Sequence, residues 1–305
     1  MRLATTNLPI VFGLPCWSGS PRATHRLRLG LRFRLGARTA VSANFPGAIL
    51  TVLFGGLLLA STVHAQRAES LTNSVPGRAE FLAYAQDYFN KAQTRYATNR
   101  HDPEAGWQMA KAYFEVGEYA TNSTQRAELA EKGIALSRLL VARNTNLAPA
   151  HYFLAMNLGQ MARTKGVGAL KLVAEMEREF ITARTLDEHF DYAGPDRNLG
   201  NLYRDAPVIG SVGSRSKARR HLQRAAELEP GFPDNKLTLI ESYLKWNDRR
   251  DAQREWKALE TIWQQAHSMF TGAAWASCWD DWEKRLKTIK KRLEEYAKQT
   301  GTYAP

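Results

Sequence analysis

Residues 195–205 read Pro-Asp-Arg-Asn-Leu-Gly-Asn-Leu-Tyr-Arg-Asp, and this stretch decides the fold class. After an intervening loop, two alanines, a larger apolar residue and a proline follow at steps of four, three and five, namely Ala218, Leu222, Ala225 and Pro230. Steps of three and four place side chains on one helix face, and proline ends the helix. Two helices approach closely only where a side chain is small. The glycine at Gly200 and the two alanines therefore predict an antiparallel helix hairpin.

The same pattern recurs before and after this hairpin. The matching positions are Pro233, Leu239, Tyr243 and Ala252 in the next copy, Pro149 and Asn157-Leu158-Gly159 in an earlier one, and Trp107, Phe114, Ala130 and Ile134 in a less regular first copy. The pattern resembles the tetratricopeptide repeat (TPR), which has two antiparallel helices in about 34 residues. Because three or more stacked hairpins can bury a common core, we expect an all-α, TPR-like α-solenoid over residues 101–272. A non-repeating helical bundle is the alternative.

Helices are also predicted on both sides of the repeats. Apolar residues at helical spacing, from Phe81 to Tyr96, predict one helix within residues 66–100. In residues 273–305, apolar residues recur at alternating steps of four and three, at Trp275, Trp279, Trp282, Leu286, Ile289, Leu293 and Tyr296. This seam predicts a C-terminal helix that caps the last repeat. Self-association through the same tryptophans is the alternative, and it would make the chain a homo-oligomer.

The N-terminal segment, residues 1–65, has the composition of an export signal. It contains seven arginines and no acidic residue, and an apolar run, Ala48–Ala60, precedes small residues at Val63 and Ala65. This order is typical of a secretory signal cleaved after Ala65. We therefore expect a periplasmic protein, with an inner-membrane protein anchored by an uncleaved signal as the alternative.

The net charge and the missing motifs argue against nucleic-acid binding, metal binding and catalysis. The formal net charge is +12, but only +5 remains once residues 1–65 are set aside, which argues against a nucleic-acid groove. The seven histidines show no metal-ligand spacing, and the two cysteines, Cys16 and Cys278, are too few for a Cys-rich zinc site. Nucleophile-elbow and phosphate-loop motifs are missing as well. The sequence therefore predicts a non-catalytic protein with no cofactor and no metal.

Candidate partner or ligand contacts lie on the first helices of the repeats, which line the concave face of a solenoid. They are Arg163, Arg197, Asn201 and Tyr203. Arg197 has two interpretations. It can pair with an acidic group of a partner, or with a carboxylate of its own chain such as Asp196 or Asp205.

A second candidate is the loop that separates the two helices of the best-matching repeat, residues 204–217. Two apolar residues, Val208 and Ile209, lie in it among glycines and serines. Long loops in compact repeats are often binding elements, so these residues predict a partner or ligand contact. A mobile surface loop is the alternative.

Three stretches carry a more particular resemblance: Ala150 to Arg163, Gly194 to Pro207 and Gly213 to Asn235. In them the sequence resembles the T component of TPR-associated TRAP transporters (TatT). The resemblance implies a periplasmic, non-catalytic helical-repeat protein that docks the solute-binding protein of a TRAP-type importer and oligomerises. Members are often lipoproteins, whereas here no cysteine directly follows the apolar run at Ala48–Ala60. A general cell-envelope TPR adaptor and a helical-repeat carrier of small ligands are the alternatives.

Overall fold

The computed structural model describes residues 77–165 and 168–300, with side chains described as far as Lys298. The predicted signal segment, residues 1–65, lies outside these residues. The described part is all-α and contains no strand. Its helices are α1 Arg78–Thr98, α2 Pro103–Glu118, α3 Ser123–Arg143, α4 Ala148–Ala162, α5 Ala169–Leu186, α6 Phe190–Asp205, α7 Arg215–Leu228, α8 Pro233–Lys245, α9 Arg249–Met269 and α10 Ala276–Thr300, with a short 3-10 turn at Ala273–Trp275.

Local sequence sets where these helices begin. The Asp102 carboxylate accepts a hydrogen bond of 2.9 Å from the Glu104 backbone amide, and Pro103 occupies the first turn of α2. Asn122 caps α3 and Ser214 caps α7 through their side-chain oxygens. Pro233 opens α8, as its place in the repeat predicts. Capped starts and short connections leave each helix free to fold back on the one before it.

The helices pack as successive antiparallel hairpins, α2 with α3, α4 with α5, α6 with α7 and α8 with α9. This confirms the TPR-like solenoid. Small residues set the approach of the third hairpin, because an ideal Cβ at Gly200 would lie 2.4 Å from Leu222 Cδ2. Ala218, Ala225 and Ala252 are at most 1% exposed. Pro230 follows the end of α7, as expected for a residue that stops a helix.

Two hydrophobic clusters fill the described part. The first core cluster joins α1 to α6, and its larger members are Trp107, Phe114, Tyr152, Phe153, Phe180 and Leu199. The second core cluster joins α7 to α10, through Leu222, Phe232, Tyr243, Trp256, Trp275 and Trp282. No helix in the described ranges is long and apolar enough to cross a membrane.

The C-terminal helix α10 takes the place that the first helix of a further repeat would occupy. It runs parallel to α8, because Trp282 packs 5.5 Å from Phe232 and the Arg292 guanidinium donates to the Leu244 carbonyl. Four residues of its apolar seam are buried, namely Trp275, Trp282, Ile289 and Leu293, and the other three are half-buried, namely Trp279, Leu286 and Tyr296. Much of the seam thus packs within the chain, as a capping helix requires.

The start of α10 also lies close to the first hairpin, because burial raises the pKa of Tyr119 to about 12 and the nearby Ser277 side chain opposes this rise. All but a few residues of α4, α6 and α8 are buried. The chain thus covers most of the first-helix faces that a solenoid usually leaves open. The proposed division at residues 66–100, 101–272 and 273–305 stays a prediction.

Candidate functional site

Arg197 lies at the centre of a buried polar network. Its guanidinium is 3.1 Å from Asp191 Oδ2, 3.2 Å from Asp234 Oδ2 and 2.9 Å from Asn235 Oδ1, and it stacks over the Phe232 ring at 5.2 Å. Only 2% of the side chain is exposed. Of the two interpretations of Arg197, the structure shows the pairing within the chain, since a buried cation needs such partners.

The carboxylates are not those suggested by the sequence. Asp196 instead binds Arg184 Nε at 2.9 Å and His221 Nδ1 at 2.6 Å. Asp205 binds Lys245 at 2.8 Å and the adjacent Arg204. Residues adjacent in sequence point to different helix faces. Arg197 therefore pairs with Asp191, in the turn that precedes it, and with Asp234, in the next repeat.

That turn has an unusual backbone. Asp191, Tyr192 and Ala193 have φ angles of 52°, 54° and 59°, so three consecutive residues with side chains adopt the left-handed conformation. Each such residue costs roughly 1–2 kcal/mol. The cost is offset by hydrogen bonds to the carbonyl of Tyr192, from Arg197 at 3.1 Å and from the Asn235 amide at 3.1 Å.

The Asp191 carboxylate is buried within this turn. Its Oδ2 accepts hydrogen bonds from the Tyr152 hydroxyl and from Arg197, and Asn198 donates to the same hydroxyl at 2.9 Å. Burial raises the pKa of Asp191 to about 6, against the opposing effects of Arg197 and Tyr152. Burial likewise raises the pKa of Tyr152 well above its usual value, so the phenol stays a donor.

Two aromatic side chains at the left-handed turn pack in different core clusters. Phe190 packs against Trp107, Tyr152 and Phe153 of the first core cluster, at centroid distances from 5.2 to 6.2 Å. Two residues later, Tyr192 stacks 4.5 Å from Phe232 and contacts Phe270 and Trp275. The network around Arg197 is therefore the junction that fixes one half of the repeats on the other.

Arg163 and Gly159 line a separate, narrow crevice between α2, α4 and α5. Its guanidinium donates to the Glu118 carboxylate at 2.9 and 3.0 Å, and Gln160 also binds Glu118. Arg126 donates to Gln160 at 2.6 Å. Arg163 is half-exposed, with a carboxylate of α2 as its partner.

Asn201 and Tyr203 are buried on α6, at 6% and 3% exposure. The Tyr203 hydroxyl donates to Glu177 at 2.7 Å, and the Lys217 ammonium lies 4.8 Å from its ring. Among the described atoms, Asn201 Oδ1 has no hydrogen-bond partner. Arg163, Arg197, Asn201 and Tyr203 do not share one open surface, and their role as partner contacts stays a prediction.

The two apolar residues of the loop between α6 and α7 are exposed to solvent. Val208 is 75% exposed and Ile209 is 92% exposed. The loop base is closed, because the Gly213 amide donates to the Pro207 carbonyl at 3.0 Å and the Ser214 amide to the Tyr203 carbonyl at 2.8 Å. A Cβ at Gly213 would lie 2.2 Å from the Ala206 carbonyl oxygen, so only glycine fits there. The result is an exposed apolar tip on an anchored loop.

Comparisons with known proteins agree with this architecture. The family model described as Regulator of microtubule dynamics protein 1-3 matches residues 78–177. A crystal structure of a thermophilic TPR protein in Thermus thermophilus is similar, with a TM-score of 0.50 and 19% sequence identity. The alignment covers 70% of this chain and 95% of that one. The fold is TPR-like. No curated protein matches the sequence.

The predicted relation to helical-repeat proteins is therefore confirmed at the level of the TPR-like fold. The narrower resemblance to TatT is not confirmed by these comparisons.

Sequence reasoning missed Asp191, Asp234 and Tyr152. Each is separated in sequence from the group that it binds, so helical periodicity carries no signal for the contacts. Nothing in the sequence analysis indicated the left-handed residues Asp191 to Ala193 in the first turn of α6.

Proposed function

We propose that this chain is a non-catalytic, exported TPR-like scaffold. It binds a partner protein through the loop between α6 and α7, residues 206–214, which is called the 206–214 loop below. The exposure of Val208 and Ile209 is the observation that carries the proposal. Two large apolar side chains on an anchored loop lose little conformational freedom when a partner pocket covers them. The partner that fits best is the periplasmic solute-binding component of a TRAP-type transporter, as the resemblance to TatT implies.

Other parts of the proposal rest on the sequence. The arginine-rich start, the apolar run and the small residues before Gln66 support export and cleavage after Ala65. Sequencing the N-terminus of the protein recovered from a periplasmic fraction tests this directly. A start at Gln66 is expected, whereas retention of residues 1–65 in the membrane fraction favours the anchored alternative.

The partner is tested by affinity capture from the periplasm, followed by mass spectrometry. Recovery of a TRAP-type solute-binding protein is expected. Recovery of wall-assembly or outer-membrane proteins in its place favours the general envelope adaptor.

The loop is tested by the double variant Val208→Asn, Ile209→Asn. Burial of each side chain is worth about 1.5–3 kcal/mol, so the variant should bind the captured partner at least about a hundredfold more weakly. Met269→Asn is the matched control, because Met269 is 49% exposed on α9 and lies outside the loop. Equal affinities for the loop variant and the control would exclude the loop as the contact.

A further inference from the structure

A groove of about 420 Å³ opens between α1, α2 and α3. Met109 and Leu136 line it and are nearly buried, at 2% and 9% exposure. Tyr96 and Tyr113 also line it, and the Tyr113 ring is held edge-on by Phe89 at 5.3 Å. Arg100 and Lys132 add two cationic groups. The groove thus combines an apolar surface with a cationic one.

The two cations of the groove have no carboxylate partner among the described residues. Nearby Arg95 pairs with Asp102, and Arg138 on α3 pairs with Glu175 at 2.8 Å. By contrast, within residues 77–165 and 168–300 neither Arg100 nor Lys132 forms an ion pair, and the groove lining there includes no carboxylate. The positive charge is therefore available to an anion from outside this part of the chain.

The tyrosines add neutral donors. The hydroxyls of Tyr96 and Tyr113 form no hydrogen bond with another described residue. Burial raises the pKa of Tyr113, and the neighbouring Tyr96 raises it further, so the phenol stays protonated and able to donate. Gln93 contributes an amide to the same lining. Cationic and neutral donors thus converge on a surface that is otherwise apolar.

We propose that this groove binds a small amphipathic carboxylate. The apolar or aromatic part of the ligand packs on Met109 and Leu136, and its carboxylate faces Arg100 and Lys132. The volume falls within the roughly 300–1,000 Å³ of small-molecule sites, which join apolar walls to a few converging polar groups. The proposal does not depend on partner binding by the 206–214 loop, and either can fail without the other.

The test uses 4-phenylbutyrate and its neutral counterpart, 4-phenylbutyramide, with binding measured by titration calorimetry and ligand-observed NMR. We expect the acid to bind at least about tenfold more tightly than the amide, because a charge-assisted hydrogen bond is about twice as strong as a neutral one. Arg100→Gln and Lys132→Gln should each weaken binding of the acid about tenfold while leaving the amide unchanged.

Lys171→Gln is the matched control, since Lys171 is exposed on α5 and does not line the groove. All three variants should melt at the temperature of the wild-type protein, because the side chains are exposed. The proposal is overturned if the acid does not bind at millimolar concentration, if acid and amide bind equally, or if Arg100→Gln and Lys132→Gln bind the acid as Lys171→Gln does.

Discussion

Replacing Gly200 by alanine perturbs the closest approach of α6 and α7. The new Cβ would lie 2.4 Å from Leu222 Cδ2 and 2.5 Å from Leu222 Cγ. Leu222 is 1% exposed, so its side chain has little space to rotate into. Overpacking of this kind costs about 1–3 kcal/mol. Alanine recovers up to about 1 kcal/mol of helix propensity, so we expect a net destabilisation of roughly 0.5–2 kcal/mol.

The free energy of unfolding is measured by urea denaturation followed by circular dichroism. Gly231→Ala is the control, because an ideal Cβ there meets no atom within 4 Å. It should leave stability within about 0.5 kcal/mol of wild type. Leu222→Ala alone should cost about 2–5 kcal/mol through the cavity that it leaves.

The double variant of Gly200 and Leu222 gives the decisive comparison. Removing the leucine side chain creates the space that the new Cβ needs, so the double variant should cost clearly less than the two single changes added together. If Gly200→Ala is as stable as the wild type and the two effects add, the register assigned to this hairpin is wrong.

Other predictions concern the network around Arg197. The pKa of Asp191 is raised from an ordinary value of 3.8 to about 6 in the folded protein, so the folded state holds this proton more tightly than the unfolded chain does. The stability that this group contributes is therefore present at low pH and is lost as pH rises through about 6. The wild-type free energy of unfolding should fall by roughly 2–3 kcal/mol between about pH 4 and pH 7 relative to Asp191→Asn, and parallel pH profiles for the two proteins would contradict this. Arg197→Met leaves the buried Asp191 carboxylate without its ion-pair partner, while Asp234 keeps its pair with Arg285, and should cost about 3–5 kcal/mol in urea denaturation. Arg163→Met removes a more exposed arginine, at 28% against 2% side-chain exposure, and should cost about 1 kcal/mol or less, because Glu118 keeps its hydrogen bond from Gln160. Similar losses for both arginine variants would show that burial does not set the strength of the Arg197 network.

The hairpins were predictable from sequence because their determinants are local. Gly200, Ala218 and Leu222 are placed by helical periodicity, and Pro233 marks the start of the next helix. The 206–214 loop was predictable for the same reason, since it interrupts a regular spacing. Val208 and Ile209 are exposed in this loop, and their role as a partner or ligand contact stays a prediction.

The network around Arg197 could not be predicted in this way. Its charge partners come from the left-handed first turn of α6 and from α8, and only the packed fold brings them together. Nothing in the residue types of Asp191, Tyr192 and Ala193 signals a left-handed run, because such a run is normally avoided by residues with a Cβ. It is stable here because tertiary hydrogen bonds and aromatic packing outweigh the local preference.

The closeness of Ser277 on α10 to Tyr119 at the end of α2 has a consequence for how the protein unfolds. Linear repeat arrays lose structure unit by unit from their termini, since each unit is held only by its immediate neighbours. Here α10 lies close to the α2–α3 hairpin, so the first and last units of the array stabilise each other. Hydrogen exchange should accordingly report one common opening energy for α2 and α10, where an ordinary array would show graded fraying at both extremities.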